Sequence, residues 1–207
     1  MTLEDEIRDL DRRFGEYVRK SPKTSAEITE MESLRKALEQ AIRKQEKPLT
    51  DDLESVGIRA EVWDLVNTPR SYPEAIPILI DHLQRAYSRD IKEGIVRALA
   101  VKEAKGLVNK IVMREYQKVP KDDDAFRWAF GNTMTVIATE NDLGDLTEIV
   151  LDESNGDSRR SFIEALTKLK SPRVVEVLEH LVNDKSSLVS EAAEKALKKK
   201  QRHLKTK

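Results

Sequence analysis

Three histidines, His82, His180 and His203, and a run of carboxylates, Asp122, Asp123 and Asp124, are the residues of this chain with the most obvious chemical potential. A catalytic or metal centre needs such groups to converge within a few ångströms of one another. Their spacing argues against convergence. His82 and His180 lie about three repeats apart in the pattern described below, and His203 sits near the C-terminus, so all three are predicted as helix-surface side chains. Consecutive carboxylates at a helix start do not wrap a cation, but a helix dipole stabilises them well. The chain contains no Cys, which excludes disulfides, thiolate ligands and Cys nucleophiles. It has no Gly-rich phosphate loop, nucleophile elbow or paired-His motif. The expectation is a protein that is not an enzyme and holds no cofactor or metal.

A different set of residues stands out by column. Four segments overlay without gaps, beginning at Ile91, Phe126, Ser158 and Val189. One column reads Gly94, Ala129, Ser161, Ala192; four residues on, another reads Ala98, Thr133, Ala165, Ala196, followed by Leu99, Met134, Leu166, Leu197. The repeat spacings are 35, 32 and 31 residues. Small residues four apart on one helical face let a neighbouring helix approach closely, and the large apolar residue beside them fills the core. Between these columns run polar ones: Lys92, Arg127, Arg159 and Ser190; Glu93, Trp128, Arg160 and Glu191; and, beginning with Arg97, Asn132 and Glu164. Read as the exposed face of a row of helices, they nominate Lys92, Arg97, Arg127, Trp128, Asn132, Arg159 and Arg160 as a partner-binding ladder. Arg forks suit carboxylates and phosphates, and a Trp among charged residues suits an interface anchor. Two of them have structural alternatives: Trp128 folding down over Arg127 or a neighbouring hairpin, and Arg97 pairing with a carboxylate of an adjacent repeat such as Asp90 or Asp124.

The elements that position this ladder are helices. Seven Gly and 7 Pro in 207 residues, with 36% charged and 39% hydrophobic, describe a helix-rich composition. An apolar helix precedes each small-residue helix: Ile76/Leu79/Leu83, Val108/Ile111/Val112, Leu146/Ile149/Val150 and Val175/Leu178/Leu181. Asp124, Asp157 and Ser187 are placed to cap the second helices. Upstream, Leu3, Ile7, Leu10, Phe14 and Tyr17 form a heptad seam, matched by Ile28, Met31, Leu34, Leu38 and Ala41. The predicted organisation is a helical hairpin over residues 1–47, acting as a cap or as a coiled coil that makes a homodimer, a repeat region over 48–197, and a basic tail over 198–207.

Taken together, the hairpins resemble HEAT repeats, and their short period is similar to that of phycobilin-lyase-like bacterial proteins. The stretch from Val62 to Pro69 followed by Tyr72 to Leu79 resembles bacterial HEAT-repeat proteins of unassigned function, with coverage of roughly residues 50–197. The resemblance implies an all-α fold, an α-solenoid of helical hairpins, whose row of second helices forms a concave binding face. Asn132 and Glu164 depart from it where Arg97 stands, and Gly131 is expected to loosen its hairpin.

Charge weighs on the choice of partner. Residues 48–197 carry 27 acidic and 20 basic side chains, while the tail adds six cations and no carboxylate. An acidic body argues against extended contact with nucleic acid. The N-terminus is charged from its fourth residue, unlike a signal peptide, and no apolar run reaches membrane-spanning length. The expectation is a cytoplasmic protein-protein interaction scaffold whose partner is another protein or a peptide. The alternatives are a HEAT-like DNA-binding or glycosylase-type protein, in which Trp63, Trp128 and Asp64 would serve, and a toxin-immunity protein.

Overall fold

A computed structural model describes residues 2–205 of the chain, with side chains through Arg202, and among these residues every regular element is helical. The helices are α1 (Leu3–Arg19), α2 (Ser25–Ser55), α3 (Val62–Asn67), α4 (Ile76–Leu83), α5 (Arg89–Ala98), α6 (Asn109–Lys118), α7 (Asp124–Ile137), α8 (Leu143–Leu151), α9 (Arg159–Thr167), α10 (Arg173–Leu181) and α11 (Ser187–Lys205). None is long and apolar enough to cross a membrane. From α4 onward they pair as consecutive hairpins, α4 with α5, α6 with α7, α8 with α9 and α10 with α11. The second helix of each hairpin packs on that of the next, so that α5, α7, α9 and α11 lie side by side, with α3 against α5 at the head of the row.

The small columns explain the row. Gly94, Ala129 and Ser161 are buried, as are Ala98, Thr133 and Ala165 one turn later. A Cβ on Gly94 would stand 2.5 Å from Val62 Cγ1, so α3 reaches α5 only because no side chain is there. Gly131 belongs to the same logic and does not loosen its hairpin. A Cβ there would meet Ser161 Oγ at 1.9 Å and the Phe162 backbone N at 3.0 Å. The absent side chain is what brings α7 and α9 together. Leu99, Met134 and Leu166 are fully buried beside these crossings, together with Phe130 and Phe162.

The N-terminal hairpin forms within one chain, with α1 packed on α2 and Ile7, Leu34 and Ala41 buried in the seam. Thr2 with Asp5 and Thr24 with Glu27 make reciprocal caps at the two helix starts. The boundary expected at 47/48 falls inside α2, an unbroken helix that carries Pro48 through it. Interior proline costs a helix about 3 kcal/mol, but Leu49 and Leu53 just beyond it are fully buried in the main core, and each contributes about 2 kcal/mol or more of burial. Tertiary packing therefore carries the helix past its breaker. The expected tail likewise continues α11, and Lys200 Nζ donates to the Leu169 carbonyl at the end of α9.

Where α2 meets α3 the fold buries a carboxylate. Glu46 is 3% exposed and accepts the Val62 N–H at 2.6 Å. Burial pushes its carboxyl up; the Val62 N–H pulls it down, and Glu61, Asp90 and Asp64 push it further up. A carboxyl raised on folding stabilises the native state below its unfolded pKa, and that contribution is lost as pH rises through the folded value. Glu46→Gln keeps an acceptor for Val62 and removes the charge. Its urea midpoint should exceed the wild type's at pH 7, and the gain should vanish below about pH 4, near the unfolded pKa of Glu.

The close helix crossing yields a paired test. Gly131→Ala should destabilise the protein by about 1–3 kcal/mol through overpacking. Gly144→Ala, where a Cβ meets nothing within 4 Å, should be neutral or raise stability by about 0.5 kcal/mol. Urea unfolding of both variants distinguishes the sites. Equal effects would mean that α7 and α9 are not in close contact.

Candidate functional site

The polar columns divide into two kinds. The first turns back into the fold, which corrects the expectation for Arg127 and Arg159, both buried, and leaves Lys92 half-buried. Each of these side chains turns back onto the first helix of its own hairpin and donates to a carbonyl at that helix's end. Lys92 Nζ reaches Leu83 O at 2.6 Å, Arg127 Nη1 reaches Val119 O at 3.0 Å, and Arg159 Nη1 reaches Val150 O at 3.3 Å. Ser190 Oγ does the same to Val182 O at 2.6 Å. The last carbonyls of a helix have no partner within it and carry the negative end of its dipole, so a donor arriving from eight or nine residues on is favourable, and a cation doubly so.

The two arginines are consumed further. Arg127 is fully buried, lies 4.2 Å over the Tyr116 ring, and donates to Tyr116 Oη at 2.5 Å and Asn155 Oδ1 at 2.6 Å. Its Nε has no partner. Arg159 forms a two-pronged pair with Asp184 at 2.7 and 2.9 Å, both side chains almost wholly buried. Burial alone would raise Asp184; the Arg159 fork and the Ser186 N–H outweigh it and hold the carboxyl below its usual range. Neither guanidinium faces an arriving partner.

The next two columns line a groove. Glu93, Trp128, Arg160 and Glu191 form one side-chain row, and Arg97, Asn132, Glu164 and Lys195 the other. A cleft of about 580 Å³ runs down α7, α9 and α11 from Trp128 and Leu188 to Lys168 and Lys199, over a floor that includes Ser161, Ala192 and Ala196. A second, of about 480 Å³, adjoins it at Trp128, Arg160 and Leu188 and reaches Glu93, Arg97, Asp124 and Asp157. Trp128 is half-buried, with the Arg97 guanidinium 5.7 Å from its ring centroid. Arg97 pairs with neither Asp90 nor Asp124; Glu93 holds it at 2.9 and 2.7 Å. Glu93 also takes Arg89 at 2.9 Å, and Arg89 forks onto Asp123, the cap of α7, at 2.6 and 2.9 Å. Arg160, Lys168 and Lys195 are exposed and form no ion pair among the described residues.

Of the seven residues nominated from sequence, Arg97, Trp128, Asn132 and Arg160 line this groove, Arg127 and Arg159 lie beneath the surface, and Lys92 is half-buried. Column reading passed over Leu188, which is 40% exposed at the junction of the two clefts. Its signal was available: its column reads Asp90, Ala125, Asp157, Leu188, an apolar residue among polar and small ones.

Among the remaining candidates, His82, Trp63 and Asp64 have partners within the fold. His82 is fully buried, not on the surface: its ring contacts Asp52 Oδ2 at 2.8 Å through Nε2 and Tyr87 Oη at 2.7 Å through Nδ1. Asp52 only accepts, so Nε2 carries the proton, and the hydrogen bond holds Asp52 below its ordinary value. The arrangement ties α2 to the end of α4. His180 is exposed, and the His203 side chain lies outside the described residues. Trp63 donates its indole N–H to Asp90 at 3.2 Å and Asp64 caps α3, so two of the three side chains offered for base chemistry have structural partners. Asp123 and Ser186, each one residue before the expected position, make the capping contacts of α7 and α11; Asp157 accepts from Ser186 Oγ at 2.6 Å. No protein-family model, curated protein or solved structure matches the chain.

The division between the columns predicts opposite behaviour of adjacent arginines. Arg159→Ala leaves Asp184 buried and unpaired and should cost about 3–5 kcal/mol, whereas Arg160→Ala should change stability by no more than about 0.5 kcal/mol. Asp184, lowered on folding, contributes stability that is present above its unfolded pKa, near 3.9, and lost as pH falls through the folded value. Chemical denaturation between pH 2 and 7 should show this acid-side loss in wild type and Arg160→Ala, and a smaller one in Arg159→Ala.

Proposed function

We propose that this chain is a non-catalytic protein-interaction scaffold that takes a segment of a partner protein into the groove along α7, α9 and α11. The side-by-side second helices and the recurring small columns support reading the stack as an α-solenoid of HEAT-like hairpins, with α1 and α2 covering its first end. The composition agrees with a cytoplasmic setting.

The observation that carries the reading is the contrast within the ladder. Lys92, Arg97, Arg127 and Arg159 are engaged within the fold, while Arg160 is exposed with no ion partner among the described residues, next to a half-buried Trp128 and an exposed Leu188. Aromatic and arginine side chains beside a pocket are the residues in which binding energy concentrates. The residues lining the groove include no histidine, the commonest general base, which favours binding over catalysis. A glycosylase-type reading has less support, because Trp63 and Asp64 are engaged in the fold and the body is acidic.

A photo-cross-linking side chain at Leu188 tests the groove in cells. It should capture one predominant partner, and Trp128→Ala/Arg160→Ala in the same chain should reduce that product about tenfold or more, the scale of a lost binding hot spot. The same probe at Leu107, 70% exposed and outside both clefts, serves as control. Equal capture from Leu107, or capture at Leu188 indifferent to the double substitution, would remove the groove from consideration.

A further inference from the structure

The groove is not electrically uniform. Its end near the starts of α7 and α9 is bordered by Glu93, Asp124 and Asp157 against Arg97 and Arg160. Its other end, along α9 and α11, is lined by Arg160, Lys168, Lys195 and Lys199 against Glu164 and Glu191. Lys198, Lys200 and Arg202 follow on α11. This basic end belongs to a helix packed on α9, and the Lys200 contact to Leu169 O holds the extension of α11 against the end of α9. On a body carrying more carboxylates than cations, an ordered, locally basic groove floored by small residues is a recognition feature, and its sign names the complementary ligand.

We infer that the partner segment is an acidic peptide, its carboxylates over Lys168, Lys195 and Lys199, with one apolar side chain between Trp128 and Leu188. The inference rests on the groove being the partner site. Three observations support this occupant. Arg160, Lys168 and Lys195 have no ion partner among the described residues, so an arriving carboxylate breaks none of the pairs described. Trp128 and Leu188 supply an apolar contact at the junction of the clefts, which a simple polyanion leaves unused. The opposite sign of the two groove ends fixes direction: the acidic part of the segment lies toward the C-terminal ends of α9 and α11, and any cation it carries lies toward Asp124 and Asp157. The floor of Ser161, Ala192 and Ala196 leaves room for a peptide backbone between the flanking side chains.

The experiment is selection of a random peptide library displayed on phage against the immobilised full chain, with the pool counter-selected on Trp128→Ala/Arg160→Ala. Sequencing should give groove-dependent peptides that are net negative and carry an aromatic or large aliphatic residue to one side of their acids. Synthesised members should lose about tenfold or more in affinity to Lys168→Glu/Lys195→Glu, with circular dichroism confirming that both variants fold. A groove-dependent pool that is neutral or basic, or one indifferent to Lys168→Glu/Lys195→Glu, overturns the acidic assignment and leaves the groove standing. A pool that survives counter-selection intact overturns both. Displacement of the peptides by a single-stranded oligonucleotide at equal charge concentration also overturns the assignment, in favour of a nucleic-acid ligand.

Discussion

One contact recurs through the molecule, and its order follows from that contact: a donor near the start of each second helix closes the carbonyl end of the helix before it. Lys92, Arg127, Arg159 and Ser190 play this part in successive hairpins. The chemistry differs, but the geometry does not. A helix end buried without a partner would be expensive, and here the partner comes from the other arm, so satisfying the backbone also fixes how the two helices cross. Arg127 and Arg159 extend the effect to the following hairpin through Asn155 and Asp184. Each closure thereby becomes a link in a chain of closures.

This dependence explains what sequence could reveal. The columns themselves are legible, because close helix crossings demand small residues at fixed positions, and Gly94, Ala129 and Ser161 satisfy that demand with no other explanation. Column membership also picks out the polar rows correctly. It leaves open which way a long side chain turns. Lys92, Arg127 and Arg159 look like surface residues in one dimension, and the carbonyls that claim them lie eight or nine positions back, outside any helical periodicity. His82 fails to show for the same reason: its partners are Asp52, thirty residues earlier, and Tyr87, five later. Gly131 reads as a weak point when considered alone and as a contact surface once Ser161 stands opposite it.

Groove and closure are complementary uses of one helix face. Residues at the closing position turn down and hold the crossing angle, so residues one and five positions later along α7 and α9 stay in register across the row. That is why Trp128 and Arg160 stand side by side although 32 residues separate them in sequence. Charge is partitioned in the same way. The buried cations are met by carbonyls, Asn155 and Asp184, whereas Arg160, Lys168 and Lys195, which form no ion pair among the described residues, line the groove along α9 and α11.

The unbroken α2 has a mechanical meaning. At 31 residues it is a rod about 46 Å long at 1.5 Å per residue. One end is gripped by the core at Leu49 and Leu53, and the other carries α1. The hairpin tip is thus joined to Glu46 and Asp52, and through Asp52 to His82, by one continuous helix with no loop between.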